Sequence, residues 1–242
     1  MFTHVDLDLP DMRREHIDGI RYYKIPGQEN LQRLVSITSV TSHYNKEKFA
    51  SWRAKVGEEE ANRICKESTS IGTDMHTLAE QYLKNLDCNS KVLPMSEMLF
   101  QIAVPALKNI NNIHALEGPL YSSTLGVAGT TDCIAEYTGE SGVPELAIID
   151  FKTSKKPKPR AWIEDYFVQC CAYACMLHEL TGISVKKFVI IMACRDGELR
   201  VYEEYDKKKY FKLLVKYIKK FVSDKLNDYG CLLYTSPSPR DS

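Results

Sequence analysis

Residues 146–149, Leu-Ala-Ile-Ile, form an apolar run that stops abruptly at Asp150, Phe151 and Lys152. A strand apolar on both faces has to be covered on both, which points to an α/β architecture rather than a half-solvated antiparallel sheet. Its neighbours fit. Strand-like segments at 114–121 and 125–137 precede it across "SSTLG" and "TGESGVP", and 145–152 completes an antiparallel meander. Residues 160–182 read as a helix closed by Gly182. Two strands then flank Asp196-Gly197, a hairpin signal, and Asp206 caps a lysine-rich helix. This order predicts a mixed central β-sheet flanked by helices in one α/β domain over 1–230.

Upstream, the β-branched stretch before residue 40 suggests a strand within an otherwise irregular opening, and Asn45 reads as a helix cap. Two short packing helices are expected at 46–57 and 58–69, the first with Phe49, Trp52 and Val56 on one face. Residues 1–70 thus form a largely helical elaboration. From Thr73, Met75, Leu78, Ala79, Tyr82, Leu83 and Leu86 keep helical spacing. A second long helix around 98–110 contains Pro105, which should kink or split it. The Ser/Pro-rich segment 231–242 changes character so sharply that it is expected to be a non-native tail.

Lysine plus arginine equal aspartate plus glutamate, 32 each, so no global cationic excess announces a polyanion partner. Any such site must be local. The 8 cysteines form no C-x-x-C pair, which argues against a structural zinc site and for reduced thiols in a cytosolic protein. Cys170, Cys171 and Cys175 read as helix packing. No apolar run reaches the ~20 residues a bilayer requires, so no membrane partner is expected. Asp6, Asp8 and Asp11 disfavour a secretory or mitochondrial leader, pointing to the cytoplasm of a bacterial or phage-infected cell.

Asp150 and Lys152 are two apart on a strand and so share a face. They emerge at the strand's end, where a carboxylate suits a hard divalent cation and an ammonium can steady an anion. Asp132 lies on a strand folded back beside them, so the two carboxylates could share a metal. His76 sits at the edge of its helix's apolar face and serves either the core, the weightier reading taken alone, or a third metal position. Gln169 and Tyr173 share one helix face, where Tyr173 taken singly is a packed aromatic. Glu117 joins the cluster or pairs with a lysine. Lys155, Lys156, Lys158 and Arg160 form a basic loop next to the site that could follow a phosphate backbone. The C-terminal lysines read as a solvated face. Tyr22, Tyr23 and Trp52 are either base-stacking or core aromatics, the core being favoured for Trp52.

Taken together, "GTDMH" (72–76), "LGVAGTTD" (125–132), "AIIDFKTSKK" (147–156) and "QCCAY" (169–173) resemble the RecB-type nucleases of the PD-(D/E)xK superfamily. The resemblance spans about residues 36–205 and extends to phage exonucleases and the mitochondrial genome maintenance exonucleases. It implies a restriction-endonuclease-like core. It also implies a metal held by His76, Asp132, Asp150 and the Phe151 carbonyl, with Lys152 orienting or activating water. Gln169 and Tyr173 would set substrate and lysine geometry. Mg²⁺ or Mn²⁺ is the expected cofactor, since a histidine among oxygen ligands is tolerated better by manganese. The cysteines of iron–sulfur relatives are missing after the Gln-x-x-x-Tyr helix, where only Cys194 and Cys231 follow. The function implied is a deoxyribonuclease, an exonuclease on single-stranded DNA or DNA ends in replication, recombination or repair. The rivals are a silent nucleic-acid-binding module with the same fold and an unrelated α/β enzyme in which Asp150 and Lys152 are a surface pair.

Overall fold

A computed structural model describes residues 1–25, 27 and 33–234, with side chains through 226. The strands β1 (Arg13–Ile17), β2 (Ile20–Lys24) and β3 (Leu34–Ser36) come first. The helices α1 (Ile37–Tyr44), α2 (Lys46–Val56), α3 (Glu58–Leu83) and α4 (Pro94–Leu107) follow. Next are the meander β4 (Ile110–Ser122), β5 (Val127–Thr138) and β6 (Pro144–Ser154), helix α5 (Glu164–Thr181), the hairpin β7 (Lys187–Cys194) and β8 (Leu199–Glu204), and α6 (Lys207–Tyr234). One mixed sheet runs β1-β2-β3-β5-β6-β7-β8, with β4 paired to the other side of β5.

The sheet is covered on both faces, as its apolar central strands require. Ile134, Ile148, Ile190 and Met192 pack toward α1, α5 and α6. Cys133, Ala135, Ile149 and Ile191 pack toward α3 and α4. Strand alternation thus splits one run of residues between two cores. Cys170 and Cys171 are fully buried in the first core, where they act as small apolar packing groups.

The break in the sheet positions the site. Strand β5 pairs antiparallel with β6 from Thr138↔Pro144 only as far as Cys133↔Ile149, and pairs parallel with β3 at Val127 and Ala128. Among the described residues, 129–132 between these ladders have no strand partner on that side. Strand β6 meanwhile pairs parallel with β7 along its whole inner length, which keeps Asp150 and Lys152 rigid.

Several expectations need correction. The described residues before 37 form three strands rather than a helical elaboration, because Asp18 and Gly19, both at positive φ, close a tight β1–β2 hairpin. The helices expected at 58–69 and after 73 are one helix, α3. It continues through "STSIG" because Ile71 and Met75 are buried on the same face. Helix α2 has no buried residue: Phe49 is exposed and Trp52, partly exposed, packs on its ring 5.4 Å away, so the core reading of both fails. Pro105 does not split α4. Residues 160–162 form a separate 3₁₀ turn before α5. Asn45 does stand at the α1–α2 junction, without a side-chain cap bond. Gly182 ends α5 in the left-handed conformation, and Asp206 Oδ1 accepts from the Lys209 N–H at 2.9 Å. Residues 231–234 continue α6, and the rest of the expected tail lies outside the described residues.

Lys187 on β7 is only 1% exposed, an unusual state for an ammonium. Its Nζ lies 2.8 Å from Glu203 and 3.6 Å from Glu145, beneath the Tyr137 and Tyr205 rings. Replacing it with methionine leaves the part-buried Glu203 carboxylate without its ammonium partner, with the Glu140 N–H as a remaining donor. A loss of roughly 2–3 kcal/mol in chemical denaturation is expected, the low end for breaking a buried pair because the glutamates keep some solvent. A loss under about 1 kcal/mol would show that the cage contributes no net stability.

Candidate metal centre and active site

Asp150 and Lys152 extend from β6 on the α5 face of the sheet, as two-residue spacing demands. Lys152 Nζ stands 2.5 Å from Asp150 Oδ2. The Asp150 side chain is 2% exposed, yet neither carboxylate oxygen has a well-directed hydrogen bond. A buried carboxylate in that state is costly unless another positive group completes its surroundings. Burial pushes its pKa up to about 6, assisted by the Asp132 charge and opposed by Lys152. For Lys152, burial works against the charged form, but Asp150 and Asp132 outweigh it and hold its pKa above the ordinary lysine value. Lys152 is therefore an ammonium at neutral pH, suited to steadying an anion or orienting water rather than accepting a proton.

Asp132 occupies the gap between β5 and β6. Where the next ladder bond would form, the Phe151 N–H donates instead to Asp132 Oδ2 at 2.8 Å. This contact rules out Asp150–Lys152 as an isolated surface pair, because it brings the second carboxylate against the residue beside Asp150. From α3, His76 reaches across with Nε2 2.8 Å from the Phe151 carbonyl and Nδ1 3.7 Å from Asp132 Oδ1. With the hydrogen on Nε2, that bond leaves the Nδ1 lone pair facing Asp132. His76 is part-exposed and faces the site rather than plugging the core. The Phe151 carbonyl, a ligand by the resemblance, already accepts from His76 and has one further lone pair.

Glu117 completes the group. Its carboxylate, Asp132 and His76 bring their ligand atoms within 4.8 Å of one another. It takes a left-handed φ of 49° on β4 between the Leu116↔Cys133 and Gly118↔Thr131 pairs. Burial and the Asp132 charge raise its pKa to about 7. Oxygen-rich donors with one imidazole and an unsatisfied buried carboxylate fit a hard divalent cation.

On α5, Gln169 Nε2 donates to Tyr173 Oη at 3.2 Å. Tyr173 is almost fully buried, and burial raises its pKa, with a smaller contribution from Asp132. Gly129 makes this packing feasible, since a Cβ there would meet the Tyr173 ring at 2.8 Å. The basic loop divides. Lys155 and Lys156 are exposed, and Lys158 Nζ donates to Tyr166 Oη at 2.7 Å. Arg160 turns away to the Glu203 carbonyl and the Glu204 carboxylate. Tyr166, which sequence reasoning passed over, holds its ring 5.1 Å from Lys152 Nζ and 5.2 Å from Lys158 Nζ. Its spacing three before Gln169 is the one signal that might have singled it out.

No protein-family profile matches the chain. Curated relatives do. Mitochondrial genome maintenance exonuclease 1 of Homo sapiens is 38% identical over 96 residues, which is 38% of this chain and 26% of that protein. The protein of the same name from Xenopus tropicalis is 32% identical over 134 residues, 53% of this chain and 37% of that one. The chain therefore aligns with well under half the length of these relatives. A solved structure from Eubacterium rectale, described as a candidate exonuclease, covers 72% of this chain and 77% of its own at a TM-score of 0.43 and 13% identity. Over part of its length the chain is thus similar in sequence to proteins named mitochondrial genome maintenance exonuclease 1.

Proposed function

We propose that the chain is a divalent-metal-dependent deoxyribonuclease, an exonuclease on single-stranded DNA or free DNA ends, serving replication, recombination or repair. The observation that carries this reading is the cluster of His76, Glu117 and Asp132 at the sheet break, with the buried Asp150–Lys152 pair in electrostatic reach of it. Phosphodiester hydrolysis needs a hydroxide near neutral pH and compensation for charge growing on phosphate oxygens. A bound Mg²⁺ or Mn²⁺ supplies the Lewis acidity for both.

Asp132, Asp150 and Glu117 with His76 Nδ1 would hold that ion, and the Phe151 carbonyl can add an oxygen. Lys152, kept protonated by two carboxylates, orients the attacking water and steadies the phosphate. Tyr166 limits where the Lys152 and Lys158 ammonium groups can move. Gln169 and Tyr173 brace the β5 backbone behind Asp132. Lys155 and Lys156 remain available for neighbouring phosphates. The relatives named as mitochondrial exonucleases support the activity class. Among the described residues no helix is long and apolar enough to cross a membrane.

The test is digestion of 5′-labelled and 3′-labelled single- and double-stranded DNA, with matched RNA, in Mg²⁺, Mn²⁺ or EDTA. Metal-dependent shortening from one labelled end of single-stranded DNA is expected. Binding without cleavage in every metal would instead assign the silent nucleic-acid-binding module.

A further inference from the structure

The β1–β2 hairpin forms a wall next to the site, and one of its faces is cationic. Directly opposed residues of an antiparallel pair share a face. The pairs Arg14↔Tyr23 and His16↔Arg21 therefore lie on one side, while Glu15, which pairs with Arg33 in an ion pair, lies on the other. At one end of this face Tyr23 Oη meets Thr130 Oγ1 at 3.3 Å, two residues before Asp132 on β5. The Arg14 guanidinium lies 5.9 Å over the Tyr23 ring, and its positive charge is felt at the Glu117 carboxyl.

Around the turn end of the hairpin lies a cleft of about 490 Å³ between the hairpin, α1 and α6, reached by His16 and Arg21 and floored by Ile20 and Phe221. Its lining includes the cations Arg21 and Lys225, the histidines His16 and His43, and the hydroxyls of Ser39 and Ser42. The Arg21 N–H donates to Ser39 Oγ at 3.0 Å, which ties the hairpin to α1 and fixes that wall. Asp224 is a carboxylate at its edge, and it is shared by His43, Lys46 and Lys220. Among the described residues neither Arg14 nor Arg21 forms an ion pair with a carboxylate, so their charge remains available to an external anion.

We propose that the exposed cationic edge of this hairpin, from Arg14 beside the Glu117 carboxyl to His16 and Arg21 at the cleft, is a phosphate track for a single nucleic-acid strand several nucleotides away from the scissile bond. Its continuity with the carboxylate cluster selects a strand that also reaches the metal centre, and the hydroxyl and guanidinium donors match phosphate oxygens. Arg14 and His16 stand two residues apart, ~7 Å along the strand, so the donors form a line rather than a point. The proposal rests on the nuclease reading only for the identity of the strand.

The test measures binding in EDTA, where nothing is cleaved, using the full chain and fluorescent single-stranded DNA of 5 and 20 nucleotides. The doublet Arg14→Gln/Arg21→Gln is expected to weaken the 20-mer about tenfold at low salt. The salt slope, near −0.7 per phosphate neutralised on single strands, should flatten by about 1.4 for two lost contacts. The doublet Lys208→Gln/Lys212→Gln, with the same charge loss on exposed α6 positions, controls for bulk electrostatics, and a melting curve confirms each fold. Wild-type affinity and slope in the hairpin doublet would overturn the track, as would equal weakening in the α6 doublet. An acidic peptide of matched charge that binds as tightly and responds equally would reassign the face to protein. The nuclease reading fails separately, through retained cleavage in a Lys152→Ala chain, while the salt slope still decides the track.

Discussion

Lys152→Ala is expected to reduce the rate of DNA cleavage by roughly 10²–10³-fold, as loss of a positioned charge-stabilising donor does in other active sites. The reason is local. Lys152 Nζ is the ammonium in contact with Asp150, its charge is secured by two carboxylates, and its side chain keeps 22% exposure on the site's open side. Neither Lys158, engaged with Tyr166, nor Arg160, engaged with Glu204, is free to replace it. Since the partner left behind is a carboxyl with its pKa already near 6, that carboxyl can take up a proton and the fold should survive. Steady-state rates with circular dichroism on the same sample check both halves. A folded variant with undiminished cleavage would remove Lys152 from the mechanism.

The second large effect is stabilisation by metal. At a Mn²⁺ concentration one hundred times the dissociation constant, linkage supplies about 2.7 kcal/mol. For a chain of this size that raises the melting temperature by roughly 5–10 °C. The effect should be present at pH 7.5 and largely absent at pH 5.5. Asp150 and Glu117 have folded pKa values near 6 and 7, above the carboxyl values of an unfolded chain. Without metal, their contribution to stability is fully present below pH ~4 and is lost as pH rises through 6 and then 7. A cation binds only the ionised forms, so its stabilising effect grows across that window. Asp150, almost fully buried, gives the firmer part, and Glu117, with more solvent, the softer. Thermal denaturation with Mn²⁺ or EDTA at both pH values measures it. Asp150→Ala should abolish the shift and Lys152→Ala should retain it. An equal shift at both pH values, or one retained by Asp150→Ala, would place the ion elsewhere.

Some features could be read directly from the chain. The shared face of Asp150 and Lys152, the hairpin at Asp196-Gly197, the end of α5 at Gly182 and the Asp206 cap all follow from contacts within a few residues. Strand alternation, turn chemistry and capping are short-range effects, so the sequence alone determines them. The α3 boundary was misplaced because its Ser/Thr stretch disfavours helix locally, while burial of Ile71 and Met75 against the sheet, invisible in one dimension, holds the helix together. The β1–β2 turn at Asp18-Gly19 is likewise local, set by two residues that tolerate positive φ.

Other features only the tertiary structure decided. Asp132 bonds the Phe151 N–H because β5 leaves β6 after Cys133, and Glu117, at a left-handed φ, enters the cluster from β4. Arg160, in the same short loop as Lys155, is drawn to Glu204, a strand away. Each of these depends on which strands lie side by side and in what register. Register is set by the packing of two whole cores against the sheet, a long-range balance that no local run of residues encodes.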